Sequence, residues 1–178
     1  IPVVSIDREF EGMSCVKFSS YEAQFEVIEH MILEHGHRDI YYVTGPTINR
    51  EAQIRYQAYQ DALKKHGIPF KEDHVFFGGF TYITGVDAGE EFTKDGNCPK
   101  CIVCANDEMA IGVIKYLNSI DYSLPNDIKI AGFDNIASCE YIKPSLTSID
   151  INAEDWSKKM TKIMIDLIEE KGANLSKF

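Results

Sequence analysis

Two apolar runs in this chain stop abruptly on a carboxamide or a carboxylate: Cys101-Ile-Val-Cys-Ala-Asn106, followed by Asp107, and Ile130-Ala-Gly-Phe-Asp134, followed by Asn135. A strand that ends in such a group, with helix-compatible sequence after it, presents hydrogen-bonding atoms at the carboxyl edge of a parallel sheet. Open α/β folds hold small ligands at that edge. A carboxylate at Asp134 suits paired contacts to neighbouring hydroxyls, as sugar recognition requires; it is equally suited to capping a helix. Asn106 offers both a donor and an acceptor, and Asp107 beside it reads as the helix N-cap. Arg55 lies in a helix whose other face is apolar. Its guanidinium either forms a solvated salt bridge or turns its planar fork on paired oxygens.

Other constellations carry less. Cys98, Cys101 and Cys104 have a CxxCxxC spacing that suits metal or cluster ligation. Positions 101 and 104, however, fall on one apolar strand, where a spacing of three points side chains to opposite faces. No second cysteine pair follows, so no metal site is expected. The five histidines (30, 35, 37, 66 and 74) lie on helices, helix ends and loops without a recognisable nucleophile beside them. His35 and His37 flank Gly36 at a helix C-terminus, where imidazolium favours the dipole. The glycine-containing turns lack the phosphate-cradling GxxxxGK[ST] pattern. No catalytic residue and no cofactor is expected, and the chain does not read as an enzyme.

The elements that must position these residues alternate strand and helix. Residues 1–6 read as a strand ending at Asp7, 20–35 as a helix, 39–43 as a strand and 50–66 as a helix, with Gly36 and Gly67 as stops. A short strand at 74–77, a helix at 82–94, the strand at 101–104, a helix from Asp107 to about Ser119 and a strand at 128–132 follow. An amphipathic helix over 153–171 places Trp156, Met160, Ile163, Met164 and Leu167 on one face. Successive βα units imply an α/β fold with a parallel sheet flanked by helices on both faces. Residues 1–18 read as a remnant strand and crossover of another lobe. Residues 19–149 read as one complete lobe, and 150–178 as a crossover and helix returning to the first.

Composition bounds the function. The 178 residues carry a formal net charge of -10 without a basic stripe; clustered Lys and Arg are what phosphate contacts need, so this segment is not expected to hold nucleic acid itself. No apolar run approaches the roughly 20 residues that span a membrane, and no signal-like segment opens the chain. Five cysteines, an odd number, favour a reducing cytoplasm.

Seven motifs, in order, resemble the lactose/galactose-repressor family: Ile1-Pro-Val-Val-Ser-Ile-Asp7-Arg8, Gly36-His-Arg-Asp-Ile40, Gly45-Pro46, Arg55 with Ala58-Tyr59, Ala105-Asn-Asp-Glu-Met-Ala-Ile-Gly112, Gly132-Phe-Asp-Asn135 and Pro144-Ser-Leu-Thr-Ser148. The resemblance runs essentially the whole length. It implies the C-terminal lobe of a type I periplasmic-binding-protein-like sensor, truncated at both ends, that closes on a sugar or related metabolite. On that resemblance Arg55, Asn106 and Asp134 are ligand contacts, and Asp7 faces the same crevice from the other lobe. Phe18 and Phe80 align with aromatic pocket positions that stack on sugar C–H faces. The family's homodimer pairs through the helix after the Asn-Asp motif and the segment before Pro144, which here offer Ile111, Ile114, Tyr141 and Ile142. The implied output is allosteric control of DNA binding through a helix-turn-helix absent from this chain. Alternatives on the same lobe are the sensor of a diguanylate cyclase or kinase, and a solute-binding protein of a transporter. The chain departs from the family at Ser19-Ser20, at Ala58 where glycine is usual, and at Ile151 where some relatives place a polar contact. Fewer polar groups on that side leave the effector unnamed.

Overall fold

A computed structural model describes residues 2–6, 9–17 and 19–175, with Asp95 and residues 171–175 described by their backbone only. In chain order the elements are β1 (Val4–Ile6), β2 (Ser14–Val16), α1 (Ser20–Leu33), β3 (Ile40–Thr44), α2 (Arg50–Lys65), β4 (Val75–Phe77) and α3 (Tyr82–Thr93). They continue with β5 (Cys101–Cys104), α4 (Asp107–Ser119), β6 (Lys129–Asp134), α5 (Ser138–Tyr141), β7 (Thr147–Asp150) and α6 (Ala153–Leu175). The chain forms two compact units: Ser20–Ile151, and Ile1–Ser19 together with Asn152–Phe178.

The larger unit is built on a five-stranded sheet ordered β4-β3-β5-β6-β7, every pair parallel. Every residue of β3 and of β5 is buried. A strand buried at consecutive positions must be covered on both faces, which explains why these two read as continuous apolar runs instead of alternating ones. Helix α1 packs on α2, and α3 on α4. The strand order reverses between β3 and β5, because β3 leads outward to β4 while β5 leads the other way. Polar groups at the carboxyl ends of strands next to such a reversal line a crevice.

The core explains the register. Tyr42 of β3 and Tyr59 of α2 stack with ring centroids 4.6 Å apart and planes 8° from parallel. The Tyr59 hydroxyl, buried with its ring, donates to the Ile40 carbonyl at 2.9 Å. Each large apolar side chain fully buried here, such as Ile102, Leu117 or Phe133, contributes about 1.5–3 kcal/mol relative to exposure. Helices α3 and α4 meet through glycine: a Cβ on Gly85 would overlap the Met109 carbonyl, and one on Gly112 the Tyr82 carbonyl. This close approach holds the start of α4, and with it Asn106, at the sheet edge. Gly36 and Gly67, past the ends of α1 and α2, have φ of +70° and +61°, the left-handed turn that lets a chain leave a helix.

In the smaller unit β1 and β2 pair in parallel, Val4 opposite Ser14, and α6 contacts β1. Among the described residues no helix is long and apolar enough to cross a membrane. Three short elements, β2, α5 and β7, were not anticipated from the sequence. Strand β6 runs two residues past the expected end, through Asp134.

Candidate functional site

Helix α2 begins at an N-cap, Asn49, whose side-chain oxygen accepts from the Ala52 N–H at 3.1 Å. One turn further on, Arg55 is buried at 8% exposure. Its guanidinium lies on the Phe133 ring, 3.6 Å from the centroid, and its Nη1 donates to the Ala105 carbonyl. The same Nη1 stands 3.7 Å from Asp134 Oδ1. The arginine is therefore held by β5 and β6 together, as a flat cation on an aromatic face, and is not a solvated salt bridge.

Asn106 has extended backbone and caps α4: its Oδ1 accepts from the Met109 N–H at 3.1 Å, and its Nδ2 donates to the Phe80 carbonyl at 3.1 Å. The N-cap expected at Asp107 is therefore Asn106. Asp107 is fully buried and turned the other way, accepting from the Ile136 N–H at 2.9 Å, the Cys139 thiol at 3.1 Å and the Ser148 hydroxyl at 2.6 Å. Phe80 has φ +61°, and its ring covers Gly45 so closely that a Cβ there would overlap it.

Asp134 ends β6 with φ +109°, followed by Asn135 at +52°. Its side chain keeps 30% of its exposure. Burial pushes its carboxyl up to about 6; Arg55 opposes that rise and the like charge of Asp107 adds to it. The carboxylate is thus partly dehydrated beside a single guanidinium, a poised acceptor for donors from outside the chain.

Asn49, Glu51, Arg55, Phe80, Asn106 and Asp134 line one hollow of about 180 Å³ at the carboxyl edge of the sheet. Four of the six residues expected to contact a ligand come together here; Asp7 and Phe18 lie outside the described residues. Glu51 was missed, although its place four residues before Arg55 puts both on one helix face. An apolar cavity of about 200 Å³, bounded by Met31, Ile114, Leu124 and Pro144 among others, opens elsewhere, beside the first residues of β6 and β7. It gathers no comparable set of carboxylate, guanidinium and amide.

Of the residues expected at a dimer interface, Tyr141 is 82% exposed, while Ile111 and Ile142 are half-buried. Ile114, at 4% exposure, packs into the core and lines the cavity beside β6 and β7. The five cysteines are free thiols, Cys101 and Cys104 both fully buried, and burial pushes Cys101 up to about 12. No group of three or more His, Cys, Asp or Glu able to hold a metal occurs among the described residues.

Comparison with known proteins gives one family. Residues 28–177 match the model of the periplasmic binding protein-like domain. The chain is 30% identical over 172 residues to the probable HTH-type transcriptional repressor ExuR of Bacillus subtilis, covering 96% of this chain and 51% of that protein. It is 32% identical over 152 residues to catabolite control protein A of Priestia megaterium, covering 84% and 41%. The chain thus spans about half the length of the curated relatives it matches. Among solved structures, the Escherichia coli transcriptional repressor ascG superposes with a TM-score of 0.86 at 26% identity, covering 95% of this chain and 62% of that one. The complex of the transcriptional regulator CelR with cellobiose superposes with a TM-score of 0.84 at 26% identity, covering 96% and 53%.

Proposed function

This chain belongs to the periplasmic binding protein-like domains of the lactose/galactose-repressor family, and from that premise we propose that it is the effector-binding and dimerisation lobe of a transcriptional regulator. A sugar or related small metabolite sits against Phe80 and is gripped by Arg55, Asn106 and Asp134. The observation that carries this reading is the convergence of those side chains on one hollow. Its chemistry fits a polyhydroxylated ligand: a guanidinium donates, a carboxylate accepts, and an aromatic wall meets C–H faces. The hollow is smaller than the roughly 300 Å³ of a site enclosing a whole ligand, so the ligand fills it in part and is covered from elsewhere.

Binding acts by population shift: the effector favours one arrangement of the receptor over another, and DNA binding elsewhere in the same protein reads the change. The net charge of -10 agrees with a lobe that leaves DNA to another segment. Two copies pair across the surface carrying Tyr141, Ile111 and Ile142. Free thiols suit a reducing cytoplasm.

The test is thermal stability of the intact protein against a sugar panel that includes cellobiose, with Asp134→Ala as control. A parent that is stabilised by one sugar, and a variant that is not, is the expected result. A variant that keeps the stabilisation at unchanged affinity removes Asp134 from the site and overturns the reading.

A further inference from the structure

Asp134 is the last residue of β6, paired with Asp150 of β7, and the turn that follows it lies beyond the strand ladder. Asp134 and Asn135 both have positive φ, +109° and +52°. Asparagine tolerates the left-handed region; an aspartate at +109° lies outside it and persists only where its surroundings over-determine it. Beyond the pairing with β7, the side-chain bonds that hold this turn converge on one buried carboxylate.

Asp107 Oδ1 accepts from the Ser148 hydroxyl of β7 at 2.6 Å, and the same Ser148 oxygen accepts from the Asn135 N–H at 3.0 Å. Asp107 Oδ2 accepts from the Ile136 N–H at 2.9 Å and from the Cys139 thiol of α5 at 3.1 Å. The two peptide N–H groups that follow Asp134, and the helix after them, are thus tied to one side chain on α4. Strand β6 is drawn against it as well, since a Cβ on Gly132 would overlap Asp107 Oδ1. A fully buried carboxylate must find donors, and those found here are the Ser148 hydroxyl, the Ile136 N–H and the Cys139 thiol.

We propose that Asp107 is a positioning residue: through Ser148, Ile136 and Cys139 it fixes the strained turn that directs the Asp134 carboxylate into the hollow. That this direction serves a ligand rests on the sugar reading above; the fixing of the turn does not. Cys139 enters as a hydrogen-bond donor. Its thiol, pushed up to about 12 by burial and by Asp107, keeps its proton and is no nucleophile. The groups acting on Asp134 are Arg55 from α2 and Asp107 from α4, with Glu51 on the same hollow wall.

The test compares the intact protein with Asp107→Asn, Ser148→Ala, Cys139→Ala and Cys139→Ser. Two readouts need no sugar: amide hydrogen exchange at Asn135 and Ile136 relative to β5, and the NMR titration of the Asp134 carboxyl carbon. In Asp107→Asn exchange at both amides, and in Ser148→Ala exchange at Asn135, rises roughly tenfold relative to β5, the equivalent of one lost hydrogen bond. In Ser148→Ala, which keeps every charge, the Asp134 titration moves down from about 6 as the freed turn lets the carboxyl rehydrate. Cys139→Ser, with an O–H donor in place, stays near the parent, and Cys139→Ala falls between. Affinity for cellobiose, or for whichever neutral hexose of the panel binds, drops about tenfold with the loss of one hydrogen-bond-fixed contact. Ser148→Ala keeps every charge and decides the matter should Asp107→Asn not fold. Unchanged exchange at Asn135 or an unmoved Asp134 titration in Ser148→Ala overturns the proposal, as does unchanged exchange at Ile136 in a folded Asp107→Asn. A parent protein that binds no sugar sinks the sugar reading alone, and the exchange and titration still judge Asp107.

Discussion

Replacing Asp134 by asparagine should stabilise the unliganded protein while abolishing binding. Its carboxyl is raised from 3.8 to about 6, and each pKa unit is worth about 1.4 kcal/mol between protonation states. Holding the ionised form in the fold therefore costs up to about 3 kcal/mol. The side chain keeps 30% of its exposure, and solvent screening on that scale reduces the figure to about 1–2 kcal/mol. The sign follows from linkage. The folded state binds the proton more tightly than the unfolded one, so the cost is absent below about pH 4, develops as pH rises through about 6, and is complete above it. Asparagine keeps the shape without the charge, while Arg55 retains Phe133 and the Ala105 carbonyl as partners. Urea denaturation of parent and Asp134→Asn across about pH 4 to 8 should show no difference at the acid end. At about pH 7 the variant should be more stable by about 1–2 kcal/mol, roughly 2–8 °C in Tm for a chain of this size. A variant that is less stable at about pH 7, or a difference that does not change with pH, refutes the argument that burial of this charge is uncompensated.

Arg55→Lys keeps the charge but loses the flat stack on Phe133 and the fork. Calorimetric affinity for a sugar that binds the parent should fall by about tenfold or more, and an unchanged affinity would exclude the guanidinium from the site. Gly112→Ala forces a methyl group into the Tyr82 carbonyl and should cost about 1–3 kcal/mol as overpacking, read as a lower Tm; a neutral effect would mean that α3 and α4 separate without penalty. Tyr141→Glu, at an 82% exposed position, should weaken self-association about tenfold or more in sedimentation equilibrium without lowering Tm, whereas a dimer of parental strength would move the interface elsewhere.

What could be read in advance follows from how much of the relevant physics is local. Strands β3 and β5 are short apolar runs buried on both faces, and such runs announce themselves without periodicity. Helix α4 reads from Asp107 to about Ser119 because its apolar positions recur at helical spacing after a polar pair, and the structure gives Asp107–Ser119. The short elements β2, α5 and β7 lack the apolar run that marks β4 and β5, and β2 and β7 hold by pairing with β1 and β6. Asn106 and Asp134 stand out because each ends an apolar run on a polar group, whereas Arg55 is singled out by the family resemblance; the structure brings all three to one hollow. Which of two adjacent side chains, Asn106 or Asp107, caps the helix was not legible. That depends on the extended backbone at Asn106, φ -153° and ψ 168°, which only the packed fold imposes. Helical spacing likewise groups Ile111 and Ile114 with the apolar residues of α4 without saying whether a sheet or another subunit covers each.

The Asn106-Asp107 pair shows how one short motif both shapes a site and makes it rigid. Asn106 ties the turn at Phe80 to the start of α4. Asp107, one residue on, ties the turn after Asp134 and strand β7 to the same point. The walls of the hollow come from separate βα units, and without these bonds each would move with its own loop. With them the distances among Arg55, Asn106 and Asp134 belong to the scaffold, so the ordering cost that a ligand would otherwise meet on binding is met when the chain folds. The half-dehydrated carboxylate of Asp134, beside Arg55, keeps 30% of its side-chain exposure, and a hydroxyl arriving from outside is a group suited to donate to it.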